Sequence, residues 1–558
     1  MPRLVNRRIR LFLVALVVAF GVLVLRAAWL QGVRASSLSR LALTQHREQV
    51  TIPAGRGTIY DRSGVQLALG EQATTVYANP RQIVNARAAA ATAARILGVD
   101  EERLAATLAD RTHGFVYVAR QADARRAKLL QRQKLPGFGF YPEERRSYPL
   151  GSVAAQVLGY VGIDEKGLAG VELELDRDLA GRAGQETVVT DPGGRTIDVL
   201  SDRPEVDGRD AYLTLDQGIQ ANAESVLRET VRKWGAKSAT AIVLDPRTGA
   251  VLAMAVQPGY DANAFPQAPR DLQRNRAVTD TYEPGSTFKL ITVGAALSER
   301  LVAPTTRFVL PYSIQVADRV IHDAEPRGTV NYSVAQILAH SSNVGAITLA
   351  QLLGRDRLAA WISRFGFGRK TGIDFPGESR GIVLPKERWS GSTIGNVPIG
   401  QGIAVTPVQM ASAYAAIANG GVWSRPHLVD HVDGGGRPSL HRRRLVSRSI
   451  AAELMTMLKD VVAEGTGIYA AIPGYQVAGK TGTAQKPDSQ GGYSSDKYVA
   501  SFVGIVPASR PRLVVLVAVD EPRGAIWGGV VAAPAFEQIA RFDLQYLEVP
   551  PDAPTPTG

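Results

Sequence analysis

A chain of 558 residues, 45% hydrophobic and 21% charged, has enough apolar material for two to four folded domains, which excludes a wholly disordered or fibrous protein. It has no cysteine, so disulfides, thiol nucleophiles and cysteine-ligated metals are ruled out; its seven histidines are scattered without ligand spacing, and neither metal nor cofactor is expected. Sixty-four Lys and Arg against 52 Asp and Glu leave a formal charge of +12. That charge suits a membrane surface or an acidic polymer, while the lack of a reader motif argues against nucleic acid as a partner.

At the amino terminus Arg3, Arg7, Arg8 and Arg10 precede an apolar run from Leu11 to Leu25, closed by Arg26 and Trp29. As a helix, residues 11–30 rise about 30 Å, one hydrocarbon thickness. The Arg26 stem and the Trp29 ring then fall at the interface. The sequence predicts a cytoplasmic tail at 1–10 and a transmembrane anchor at 11–31, in preference to a signal peptide cleaved near Val33-Arg34-Ala35. Arg34, Arg40 and Arg47 nearly balance the arginines before the span, so charge favours an extracytoplasmic main body only weakly.

Residues 36–212 read as an α+β module. Glu48–Ile52 is strand-like before turns at Pro53, Gly55 and Gly57, and Asn85–Leu97 and Glu101–Leu108 have helical spacing broken at Gly98. From about 213 to 548 the texture changes to helices alternating with apolar strands, among them Ala239–Leu244 and Val251–Ala255. The tail, 549–558, has little to bury and is expected to be disordered.

Within the second region, Pro284-Gly285 precedes a helix start that places Ser286 in its first turn and Lys289 three residues on, along one face. A serine hydroxyl needs a base, and no convincing Ser/His/Asp set supplies one. Lys289 can serve if its pKa falls from about 10.4, and its neighbours Phe288, Leu290, Ile291 and Val293 offer a desolvated setting. Ser-x-x-Lys alone is weak, since Ser494-Ser-Asp-Lys497 has it too. The order is stronger: Ser341-Ser342-Asn343 follows, then Lys480-Thr481-Gly482-Thr483. A second Lys-Thr-Gly, Lys370-Thr371-Gly372, sits among turn residues and reads as loop, whereas Tyr475–Gln485 reads as an extended strand.

Ser-x-x-Lys, Ser-x-Asn and Lys-Thr-Gly in this order resemble the signature of penicillin-binding proteins and related β-lactamases. On that reading Ser286 is the nucleophile and Lys289 its base. Ser341 relays a proton to the leaving amine, and Asn343 holds a substrate amide. Lys480 adds positive potential that keeps Lys289 neutral, the Thr481 and Thr483 hydroxyls bind a terminal carboxylate with Gly482 between them, and the backbone N–H groups of Ser286 and Thr483 form an oxyanion hole.

The likeness extends along the chain. Arg56-Gly-Thr-Ile-Tyr-Asp-Arg-Ser-Gly64, Arg146-Ser-Tyr-Pro149 and Gly170-Val-Glu172 resemble pedestal motifs of class B penicillin-binding proteins. Asp245–Met254, Gly400-Gln-Gly402 and Gly529–Pro534 are similar to segments that frame their active site. The resemblance implies an α+β pedestal, then a penicillin-binding/β-lactamase-like transpeptidase domain with an antiparallel sheet flanked by helices. It implies D,D-transpeptidation of peptidoglycan stem peptides through an acyl-enzyme, acylation by penicillins and other β-lactams, and contact with a polytopic membrane glycosyltransferase and other divisome proteins. Glu283 before Pro284-Gly285-Ser286 is similar to the division-type branch, where elongation-type relatives usually have Pro. An elongation role, a β-lactamase or sensor, and a catalytically silent scaffold stand as alternatives.

Overall fold

The computed structural model describes residues 2–34, 47–190, 196–437, 439–488 and 491–553. They divide into two compact units, Met1–Gly55 with Gly181–Gly208, and Arg56–Ala180 with Arg209–Gly558.

In the first unit, helix α1 (Pro2–Gly32) carries an apolar stretch whose large side chains, such as Phe12 and Leu25 at 72% exposure, have no protein cover. It starts well before Leu11, because arginine is a good helix former and the helix continues through the basic flank. Among the described residues it is the one helix long and apolar enough to cross a membrane. Arg47–Ile52, Gly184–Thr190 and Thr196–Arg203 form a three-stranded antiparallel sheet in that order, with Glu48 opposite Val188.

The second unit packs most of the module expected at 36–212 together with the region that follows it. Residues 56–180 are not separate from the rest: Ile59, Leu67, Tyr148, Leu158 and Val171 are buried in one core with Met254 and Tyr260. A buried charge cluster fastens the same region. Glu172 accepts from Arg56 Nε at 2.8 Å and from Arg146 Nε at 2.6 Å, and Arg56 also reaches Asp176 at 2.9 Å. The two helices predicted here form at Ala86–Leu97 and Glu101–Ala109. Asn85 caps the first through Ala88 N, and Gly98 ends it at φ +77°, a conformation that favours glycine.

The catalytic-type region opens with α2 (Gln217–Trp234), capped by Asp216 through Gly218 N and Ile219 N. Its sheet comprises β1 (Ser238–Leu244), β2 (Val251–Gln257), β3 (Ala478–Pro487), β4 (Tyr493–Val506) and β5 (Leu513–Asp520), in the antiparallel order β2-β1-β5-β4-β3. Strand β3 begins three residues later than the sequence suggested, because Tyr475 closes a turn onto Ile472 O. Every residue of β1 and β2 is buried, so both strands read as unbroken apolar runs. Alternate side chains serve two cores. Ala241, Val243, Val515 and Val517 meet α2 and a carboxy-terminal helix, Ala533–Tyr546; Ile242, Leu244, Leu516 and Val503 share the other core with Phe288, Leu290 and Tyr414.

The tail differs from expectation. Val549 is buried in the α2 side of the core, its carbonyl accepts from Tyr475 Oη at 2.6 Å, and Asp552 accepts from Gln476 N at 2.7 Å and Ser509 N at 3.1 Å. One apolar side chain and one carboxylate suffice to order residues 549–553; residues 554–558 lie outside the described ones.

Candidate active site

Ser286 lies in a single 3₁₀ turn, Gly285–Phe288, that runs directly into helix α3 (Lys289–Ser298). The turn is held from three sides. Gly285 N donates to Gly400 O at 3.1 Å, Tyr414 Oη donates to Thr287 O at 2.8 Å, and Thr287 Oγ1 donates to Pro284 O at 2.7 Å. Gly285 has φ +53°, and a Cβ there would come within 2.9 Å of Thr483 O; one at Gly482 would meet Ser501 Oγ at 2.4 Å and Pro284 O at 2.9 Å. Glycine on both sides therefore lets edge strand β3 close onto the serine turn. Ser286 itself is half-buried.

Lys289 is fully buried. Its Nζ donates to Ser341 O at 2.5 Å, Asn343 Oδ1 at 2.7 Å and Ser341 Oγ at 3.2 Å. Ser341 adopts φ +58°, a left-handed conformation that a serine holds only where its surroundings fix it, and which costs on the order of 1–3 kcal/mol. The helix-cap role falls to Ser342: its Oγ accepts from Gly345 N at 3.0 Å at the start of α4 (Asn343–Phe365), leaving Ser341 and Asn343 to the lysine. Asn343 Nδ2 donates to His322 O at 2.9 Å, which fixes the amide that aligns Lys289 and leaves a second Nδ2 hydrogen for another acceptor.

Burial pushes Lys289 down to about 7, against a smaller opposing effect of Asp323. Burial is the larger cause, beside the repulsion from Lys480 that was expected. Lys480 is itself fully buried and lies well below its ordinary value through burial and then the charge of Lys289. Two ammonium groups cannot both stay charged in one dry enclosure.

The alternation of β3 places Lys480 and Gly482 on one side and Thr481 and Thr483 on the other. Thr481 is buried and bonded to Thr466 Oγ1 at 2.7 Å, while half-buried Thr483 accepts from Gly528 N at 3.1 Å and keeps its own hydroxyl proton. Thr483 is thus the better placed of the two to meet a carboxylate.

The duplicate motifs have structural partners instead. Ser494 lies in β4, where residues three apart face opposite sides; its Oγ donates to Asp496 and accepts from Lys497 N. Thr371 and Gly372 are tied through Thr371 N, Thr371 Oγ1 and Gly372 N to the Glu378 carboxylate.

Sequence reading missed Asp323. Buried, it accepts from Ser342 Oγ at 3.0 Å, Asn343 N at 2.5 Å and Val344 N at 3.0 Å, and pairs with Arg327. A carboxylate at this helix N-terminus satisfies orphan donors and fixes Ser341 and Asn343 opposite Lys289. No local motif marks it, because its partners lie about 20 residues on. Among the described residues no cluster of His, Asp or Glu suited to a metal is present.

Residues 51–213 match the penicillin-binding protein dimerisation domain, and residues 239–541 the penicillin binding protein transpeptidase domain. Stage V sporulation protein D of Bacillus subtilis is 34% identical over 98% of this chain and 87% of its own. Peptidoglycan D,D-transpeptidase FtsI of Escherichia coli is 33% identical over 99% of this chain and 94% of its own. The crystal structure of penicillin binding protein 3 from Mycobacterium tuberculosis complexed with aztreonam aligns with a TM-score of 0.72 and 33% identity, covering 91% of this chain and 99% of that one. With a lysine-paired serine turn against a Lys-Thr-Gly strand, and matches spanning both domains, the chain belongs to the class B penicillin-binding proteins, membrane-anchored serine transpeptidases.

Proposed function

We propose that this chain is a peptidoglycan D,D-transpeptidase that cross-links stem peptides through an acyl-enzyme on Ser286, with its main body on the extracytoplasmic side of the cell membrane. The observation that carries the reading is Lys289: fully buried, lowered to about 7, and bonded to Ser341 and Asn343 one turn beyond the serine. Once Lys289 loses its proton, one of its three hydrogen bonds is released and a lone pair becomes free. That lone pair takes the Ser286 Oγ proton as Oγ attacks the penultimate D-alanine carbonyl. Backbone N–H groups of Ser286 and Thr483 receive the developing oxyanion, and a donor of this kind contributes about 3 kcal/mol to barrier lowering. Ser341, 3.2 Å from Nζ, returns the proton to the departing D-alanine amine, and an amine of a neighbouring strand then takes the acyl group. The Thr483 hydroxyl, on the same side of β3 as Thr481, holds the terminal carboxylate. Penicillins and other β-lactams enter by the same attack and remain bound.

Release of D-alanine from a stem peptide ending in D-Ala-D-Ala tests this. Wild type should release it with transfer to an added acceptor amine, Ser286→Ala should not, and unchanged release by that variant would contradict the assignment. A septal role, with a polytopic glycosyltransferase and other divisome proteins as partners, is supported by the likeness to FtsI and by Glu283 before the serine turn. Depletion in the native organism should then give filaments with wall growth intact; rounded cells would instead indicate an elongation role.

A further inference from the structure

The loop bearing the second Lys-Thr-Gly borders a cavity of about 290 Å³, separate from the serine turn, whose walls include Arg369, Lys370, Gln409, Ser412, Trp423 and Arg443. The cations here are positioned and uncompensated. The Arg443 guanidinium lies 4.9 Å from the centre of the Trp423 ring, and its Nη1 donates to Arg364 O at 2.8 Å. Arg364 Nε in turn donates to Leu445 O at 2.6 Å, and Trp423 Nε1 donates to Ser412 Oγ at 2.6 Å. The carboxylates of the same loop are spent on backbone: Glu378 holds Thr371 N and Gly372 N, and Asp374 accepts from Leu428 N at 2.6 Å and Val429 N at 2.9 Å. Among the described residues none of Arg364, Arg369, Lys370 and Arg443 forms an ion pair, although Arg247, Arg357 and Arg437 each do. Burial together with the charges of Arg369 and Arg364 pushes Arg443 below its ordinary value, so the cations repel one another across the cavity. Arg443 is itself largely exposed, as are Arg369 and Lys370, and its exposed neighbours Arg442 and Arg444 extend the same field along the strand.

We propose that this cavity binds a phosphate-bearing ligand, with Arg369, Lys370 and Arg443 as its charged contacts. Like charges held together in a concave site are relieved by an anion, and a doubly charged phosphate neutralises more of the field than a carboxylate does. Guanidinium forks match phosphate oxygens two at a time, and anchoring Arg443 on Trp423 and a backbone carbonyl lowers the ordering cost on binding. The Ser412 hydroxyl, whose oxygen already accepts from Trp423, retains a proton to donate.

The test is isothermal titration of the full chain in non-ionic detergent at low salt, with inorganic pyrophosphate as one probe and glycerol 3-phosphate, the phosphomonoester headgroup of a deacylated phosphatidic acid, as the other. Saturable binding is expected, weakened at least about tenfold by Arg369→Glu with Arg443→Glu and weakened further by salt. Because Arg443 also braces Arg364 O, Lys370→Glu, altered only at an exposed side chain, is the second variant and should weaken binding with an unchanged melting temperature. Binding of pyrophosphate points to a soluble phosphate, and binding of the headgroup alone to a lipid; either supports the site if the variants lose it. Absence of saturable binding to both probes, or binding that both variants retain, overturns the proposal.

Discussion

Lys289 shows how the environment of one side chain sets a reaction's pH dependence. Its protonated form cannot act as a base, so acylation by a penicillin should rise with pH through a midpoint near 7 and level off above it. The same shift bears on stability. Between about 7 and the ordinary lysine range the unfolded chain holds a proton the folded one lacks, so stability increases as pH rises through that window. Lys289→Ala should lower acylation by about 10²- to 10⁴-fold without abolishing the fold, as read by stopped-flow labelling. Asp323 acts on the lysine in the opposite sense to burial, raising its pKa. Asp323→Asn should therefore move the acylation midpoint to lower pH, and it should cost about 1–3 kcal/mol as the α4 donors lose their charged acceptor. An upward move of the midpoint would contradict that account. Ser286, Lys289, Ser341 and Asn343 were legible because each belongs to a short motif. Asp323 was not, since its meaning depends on a helix start that only the fold brings to it.

At the scale of elements, the site is the junction of a 3₁₀ turn, the N-terminus of α4 and the edge strand β3. Close backbone approach decides its geometry. Adding a methyl group at Gly285 places a side chain at φ +53° and against Thr483 O, so Gly285→Ala should lower acylation by at least about tenfold while leaving the melting temperature within a few degrees of wild type. Wild-type acylation by this variant would show that turn and strand need not close as described. The Lys-Thr-Gly strand could be chosen over its loop-borne duplicate from the surrounding turn residues alone. The orientation of its two threonines could not, because it depends on which side of β3 faces the serine turn.

For the whole molecule, the informative point is how the regions on either side of residue 213 pack. The sequence marks a change of texture near residue 213, whereas packing joins residues 56–180 to residues 209–558 through a shared core, and the Arg56–Glu172–Arg146 cluster braces the former. Composition reports local texture; a core built from Ile59, Tyr148 and Met254 together is a long-range property that texture does not carry. Glu172→Ala would leave two buried guanidinium groups without their shared counter-charge, a change of about 3–5 kcal/mol. It should lower the melting temperature and the labelled fraction together, and intact labelling in an otherwise destabilised protein would indicate that the two regions unfold independently. The tail gives the same lesson in miniature: Val549 and Asp552 look unremarkable in a proline-rich run, yet both have partners waiting on the folded body.

The most direct test of the central claim, that Ser286 is the acylated nucleophile activated by Lys289, is intact-mass analysis of the full chain after exposure to a penicillin, with Ser286→Ala and Ser494→Ala beside it. One long-lived adduct in wild type and in Ser494→Ala, absent from Ser286→Ala, is the predicted result. An adduct that persists in Ser286→Ala, or no adduct on folded wild type, would contradict it, and one that forms and is rapidly hydrolysed would mark a β-lactamase instead.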